Sequence, residues 1–225
     1  MSNRAIFAAA AMVLAMILFG SVVLALIFGI FDRADPADWA DLEDFNRISM
    51  SAVGEMLVTS GEQPAIVVDG HPRDVGRLRI YVEGATLHVE DRRRFALFQP
   101  PVQRIRYTVT VPELQGIEFS GAGRIDIEPL ATPRLDIKMS GVGTIDVQDL
   151  QADGVEVDFS GGGRAILHGT VADQSVSISG AGSYEAADLR TETARVRVSG
   201  AGAAELWVTE ALDIDISGLG SVRYY

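Results

Sequence analysis

The sequence predicts an all-β fold: a right-handed single-stranded parallel β-helix, preceded by one transmembrane helix. Three observations predict it. The phrase Ser-Gly-x-Gly occurs six times, starting at Ser120, Ser140, Ser160, Ser179, Ser199 and Ser217, with spacings of 20, 20, 19, 20 and 18 residues. Each copy lies between short runs in which apolar and polar residues alternate. Residues 5–31 form 27 consecutive positions without a charge. A fixed period of this size marks a stacked repeat, strict alternation marks a strand with one buried face, and a long uncharged run marks a membrane span.

Taken from the N-terminus, residues 1–4 form a short tail, which the family resemblance described below places in the cytoplasm. The run from Ala5 to Phe31 would extend roughly 40 Å as a helix, against about 30 Å of bilayer hydrocarbon. It ends in Phe28-Gly29-Ile30-Phe31-Asp32 with no Ala-x-Ala nearby, so it reads as an uncleaved signal anchor rather than a cleaved signal peptide. Ser21, Ala25 and Gly29 fall at small-xxx-small spacing, which is common in such helices. Basic residues barely bias the orientation, with Arg4 on one side and Arg33 and Arg47 on the other. Residues 32–46 form an acidic tether. Asp32 to Asp44 carries six acids with one Arg and one Pro, leaving no apolar period to bury. Trp39 either anchors at the membrane interface or starts the folded domain.

Residues 47–113 are β with a looser period and read as capping coils that close one end of the solenoid. Ile48 to Val58 is a degenerate repeat, with Ala52 where the other copies carry glycine. Further strands are expected at 63–69, 78–83, 86–90 and 105–111, the middle two joined across Gly84-Ala85.

Residues 114–225 hold the six repeats. Ile117, Ile137, Val157, Val176, Val196 and Ile214 form one apolar column, and Phe119, Met139, Phe159, Ile178, Val198 and Ile216 a second. Between them stand Glu118, Lys138, Asp158, Ser177, Arg197 and Asp215, all polar. After each corner Ile125, Ile145, Ala165, Tyr184, Ala204 and Val222 point inward, with Asp126, Asp146, Ile166, Glu185, Glu205 and Arg223 outward. The expected coil is strand, corner, strand and a short return such as Leu130-Ala131-Thr132-Pro133. Stacking such coils about 4.8 Å apart buries columns that a single coil cannot. The corner glycines are expected to supply positive φ, and the serines a ladder of hydroxyls that satisfies corner backbone groups. The right hand follows from the handedness of parallel crossovers.

Composition narrows the function classes. There is no cysteine, so disulfides and thiolate metal sites are excluded. A net charge of −12, with Lys138 the one lysine among 19 basic residues, argues against sequence-independent nucleic-acid binding. No catalytic constellation is legible: His71, His88 and His168 are scattered, and the repeated serines occupy corners without a histidine companion. No cofactor is implied.

Two sets of charged residues are candidate ligand-binding groups. Asp126 and Asp146, and likewise Glu185 and Glu205, should lie one strand spacing apart, which suits either a solubilising outer face or a weak divalent-cation site. Arg92, Arg93 and Arg94 belong to an arginine-rich stretch that also holds Arg73, Arg77, Arg79, Arg104 and Arg106. Such a stretch either blunts a sheet edge or contacts an anionic lipid headgroup or an acidic glycan. Parallel β-helices also carry polysaccharide-acting enzymes that use clustered carboxylates. A carbohydrate-acting enzyme is therefore the alternative to a binding or structural module.

The "GATLHV" hairpin, the stretch "VTVPELQGIEFSGAG" and the Ser-Gly-x-Gly repeats at twenty-residue spacing resemble one bacterial family, the auto-transporter adhesin head GIN domain. The likeness covers residues 47–225. It implies an extracytoplasmic β-helical domain anchored in the cell envelope, here a single-pass inner-membrane protein with its C-terminal domain in the periplasm or outside. No catalytic residues come with it.

The sequence runs out directly after the sixth repeat. The last coil is therefore expected to show the unpaired edge of its strands, with Tyr224 inward and Tyr225 at a contact with a second copy or a protein partner. In the plainer alternative Arg223 and the two tyrosines fold over the edge and close it.

Overall fold

The computed structural model describes residues 42–92 and 104–225. The expected tail, signal anchor, most of the tether, Trp39, Arg93 and Arg94 lie outside the described residues. Among the described residues no helix is long and apolar enough to cross a membrane.

Among the described residues the domain is all-β apart from one helical turn, α1 (Pro72–Val75), and it forms a solenoid of about five turns. The capping region runs β1 (Arg47–Met50), β2 (Val53–Ser60), β3 (Ala65–Asp69), α1, β4 (Leu78–Glu83), β5 (Thr86–Asp91) and β6 (Arg106–Val111). The repeats follow as β7 (Gly116–Phe119), β8 (Ala122–Ile127), β9 (Leu130–Ala131), β10 (Arg134–Met139), β11 (Val142–Phe159), β12 (Arg164–Ile178), β13 (Ser183–Val198), β14 (Ala203–Ile216) and β15 (Ser221–Tyr224).

The pairing registers reproduce the sequence columns. Ile117, Ile137, Val157, Val176, Val196 and Ile214 stand in parallel register from β7 to β14. The ladder continues into the cap, where Ile48 pairs with Ile117 and Met50 with Phe119. Gly54 of the degenerate repeat aligns with Gly123. The cap differs from the coils in having antiparallel pairs, β4 with β5 and β3 with β6. These turn the strand direction and end the stack. Gly84 makes the β4–β5 turn with φ 62°, a left-handed conformation that glycine reaches without steric cost.

The expected short return is a third strand face. Leu130 pairs with Leu150, and the ladder proceeds through Gly169 and Leu189. Leu150, Val171 and Leu189 are buried there and join one continuous core. Each such aliphatic side chain contributes roughly 1.5–3 kcal/mol by leaving water.

The corners also differ from expectation. The serine at every corner donates its backbone N–H to the coil before, as Ser140 does to Phe119 and Ser199 to Ile178. A hydroxyl bond of this kind is made by Ser179, to the Phe159 carbonyl. The continuous ladder is therefore a backbone one, and the six serines are exposed. Positive φ is found at Gly123 and Gly143, in the second glycine position, but not at the first. The first glycine is required by crowding. A Cβ on Gly141 would run into the Gly121 carbonyl, and one on Gly161 into the Gly141 carbonyl. Ala52 fits at the matching place in the cap because its neighbour there is β5, which carries no such corner.

Outward polar residues stack in the same registers. Lys138 stands between Glu118 and Asp158, and each opposite-charge cross-strand pair contributes roughly 0.2–1 kcal/mol. Lys138→Glu is expected to lower the melting temperature at low salt, with most of the loss recovered at high salt. A loss indifferent to salt would contradict a charge ladder on this face.

Candidate functional site

The acidic column forms as its register requires. Asp126 lies beside Asp146 on β8 and β11, and Glu185 beside Glu205 on β13 and β14. Ile166 separates the two pairs. Every carboxylate of the two pairs contacts an arginine. Arg124 Nε donates to Asp126 at 2.6 Å and its second nitrogen to Asp146 at 2.7 Å. The hydrogen bond from Arg124 to Asp126 is the main cause that raises the Arg124 pKa. Arg164 pairs with Glu185 at 3.2 Å, and the Ser183 hydroxyl donates to the same carboxylate. Glu205 accepts from the Tyr225 hydroxyl at 2.7 Å and pairs with Arg223 at 3.5 Å. The bond from Tyr225, followed by the Arg223 charge, holds the Glu205 pKa below the usual range. Asp126 and Asp146 are thus bridged by one guanidinium, whereas Glu185 and Glu205 each have their own arginine. Among the described residues no group of three or more carboxylates, histidines or cysteines is placed to hold a metal.

Among the described residues, the arginines of this stretch pair with several different carboxylates of the cap. Arg77 pairs with Asp74, and Arg79 with Glu90 while lying 4.3 Å above the Tyr81 ring. Arg104 and Arg106 both pair with Glu55. Arg92 is exposed just after β5, and Arg93 and Arg94 lie outside the described residues.

Among the described residues, the last coil leaves side chains of the inward columns uncovered. In β13 the inward residues Val196 and Val198 are 0% and 1% exposed. Their register partners in β14, Ile214 and Ile216, are 36% and 43% exposed, and Tyr224 of β15 is 62% exposed. The cause is positional. β14 from Ala211 to Ile216 and all of β15 pair on one side, and among the described residues no strand pairs on the other. Tyr224 stands in the inward column, in register with Leu206. Tyr225 and Arg223 reach back to Glu205 of the preceding coil. Their side chains are thus held to the preceding coil, and Ile214, Ile216 and Tyr224 stay exposed.

One cluster escaped the sequence reading. In the core, Tyr184 donates to the Gln174 amide oxygen at 2.8 Å, and the Gln174 amide nitrogen donates to the Thr191 hydroxyl at 2.7 Å. All three are fully buried. The signal was present: Gln174 follows Leu135 and Val155 in an inward column that is otherwise apolar there. Burial pushes the Tyr184 phenol far above its ordinary pKa. The cluster satisfies itself and faces no solvent, so it specifies packing rather than a ligand site.

Comparison with known proteins accords with this architecture. The family model described as "Putative auto-transporter adhesin, head GIN domain" matches residues 44–225. Among solved structures, a putative adhesin from Bacteroides fragilis is 25% identical with a TM-score of 0.73, over 82% of this chain and 94% of that one. A putative lipid binding protein from Parabacteroides distasonis is 18% identical with a TM-score of 0.57, over 83% and 95%. A putative adhesin from the same organism is 16% identical with a TM-score of 0.54, over 83% and 95%. The last two show the fold alone. No curated protein sequence matches the chain. With the family model covering the whole solenoid, its capping region included, the chain belongs to the auto-transporter adhesin head GIN domain family.

Proposed function

We propose that this protein is a binding module displayed outside the cytoplasm, held by residues 5–31 as a single-pass anchor, and that it engages a protein partner through the open edge of its last coil. The observation that carries the reading is the exposure of Ile214, Ile216 and Tyr224, whose column neighbours are buried in the coils before. A sheet edge with unpaired backbone and uncovered apolar side chains is the geometry of strand addition, in which main-chain bonds supply affinity and side chains supply selectivity. A membrane anchor would raise the effective concentration of such an edge near envelope partners. The family and its adhesin relative support a binding role over a polysaccharide-acting one, as do carboxylates already paired with arginine.

The chain has no cysteine, so single-cysteine variants report cleanly. Ser199→Cys in intact cells is expected to react with a maleimide that does not cross the inner membrane. A photoreactive side chain at position 219 should give a discrete adduct that disappears when Ile214 and Ile216 are both changed to Arg. Labelling seen only after lysis would refute the orientation, and an adduct indifferent to the edge substitutions would refute the docking site.

A further inference from the structure

β14 displays its recognition chemistry on the side that is already paired. There Leu212, Asp213, Ile214, Asp215 and Ile216 stand in register with Ala194, Arg195, Val196, Arg197 and Val198 of β13. Apolar meets apolar at the inward positions, and the two outward acids meet two arginines. Arg195 pairs with Asp213 at 3.3 Å. The opposite edge of the same strand has no partner among the described residues. It presents the same two carboxylates, since outward side chains lie over both neighbouring strands. The Asp213 side chain is 72% exposed.

A second copy of this chain is a poor match to that edge. Antiparallel pairing of the edge with itself about a two-fold centred on Ile214 would set Asp213 across from Asp215, and directly opposed like charges destabilise a sheet. Arg223, the one arginine that follows them in the chain, stands on β15 in register with Glu205 and pairs with it.

We infer that the open edge of β14 takes an extended segment of another protein in which apolar residues alternate with Arg or Lys, the basic residues lying over Asp213 and Asp215 and the apolar ones over Leu212, Ile214 and Ile216. The segment adds as the next strand of the sheet and covers the exposed column. Its basic side chains complete a row in which Asp213 and Asp215 are flanked by cations on both sides. This rests on the reading of the last coil as a docking edge and specifies what docks there.

The full-length protein in lipid nanodiscs provides the test, with a fluorescent peptide copying residues 191–202, which carries the β13 pattern, as the probe. Saturable binding is expected, weakening as salt is raised. A peptide carrying Arg195→Asp and Arg197→Asp should bind at least about tenfold more weakly. Changing Asp213 and Asp215 of the protein to Lys should invert the preference, so that the acidic peptide binds better than the basic one. Such an inversion cannot come from misfolding. If the doubly changed protein does not fold, Asp215→Lys alone should narrow the difference between the peptides. Equal binding of both peptides, no binding of either, or self-association that ignores the peptide would overturn the inference. An edge-dependent adduct from position 219 without a charge preference would keep the docking edge and remove the basic strand. A charge preference without that adduct would place the basic peptide away from the edge and overturn the inference.

Discussion

Gly161→Ala is expected to destabilise the domain by at least about 3 kcal/mol, while Gly162→Ala, one residue further on, should change stability by less than about 1 kcal/mol. The two glycines share one corner and differ in what lies beneath them. A Cβ on Gly161 would enter the space of the Gly141 and Ser140 carbonyl groups, whereas one on Gly162 would meet nothing within 4 Å. Backbone held in a ladder cannot yield as a flexible side chain does, so the first substitution must push neighbouring coils apart. In a domain of this size the loss corresponds to a fall in melting temperature of roughly 6–12 °C. Paired thermal melts decide the matter, and similar melting temperatures for the two variants would refute close stacking at the corners.

Tyr184→Phe should cost about 1–3 kcal/mol, because it leaves the Gln174 amide oxygen buried without a donor. Adding Gln174→Leu should recover some of that loss, since the double variant removes both ends of the bond and the Thr191 hydroxyl can still donate to the Leu189 carbonyl. Additive losses in a double-mutant cycle would mean that the two side chains are not coupled. The same tyrosine gives a pH signature. Burial raises its folded pKa above the unfolded value of 10.0. The unfolded chain therefore releases this proton first as pH rises. The contribution is fully present below pH 10 and declines above it, by up to about 1.4 kcal/mol per unit. Denaturant titrations between about pH 10 and 12 should show a steeper alkaline decline in the native protein than in Tyr184→Phe. Equal slopes would place the phenol in contact with water.

Local chemistry made much of the solenoid legible. Period-two alternation assigned the inward and outward residues of every coil, because a strand has only two faces. The twenty-residue phrase told which strands are neighbours, and so the register followed without any knowledge of turns. The degenerate copy at Ile48 was recognisable by the same alternation, and the hairpin at Gly84-Ala85 by its turn residues. Asp126 and Asp146, and Glu185 and Glu205, could be paired on paper for the same reason. What escaped the reading depended on atoms far apart in sequence. The return segment looked like a loop, and it became a third face because Leu130, Leu150, Gly169 and Leu189 stand in one parallel register.

The sequence by itself determined the repeat, the strand columns, the family and the position of the last coil, since each is written in residues a few positions apart or at one fixed period. Tertiary structure decided the rest. It showed that the first corner glycine is required by the carbonyl of the coil before rather than by its own φ. It put Arg124 between Asp126 and Asp146, and it joined Gln174 to Tyr184 and Thr191. It also turned Arg223 and Tyr225 back onto Glu205, leaving Ile214, Ile216 and Tyr224 uncovered. These outcomes depend on what occupies the roughly 4–5 Å between neighbouring coils, a distance that alternation and spacing do not encode.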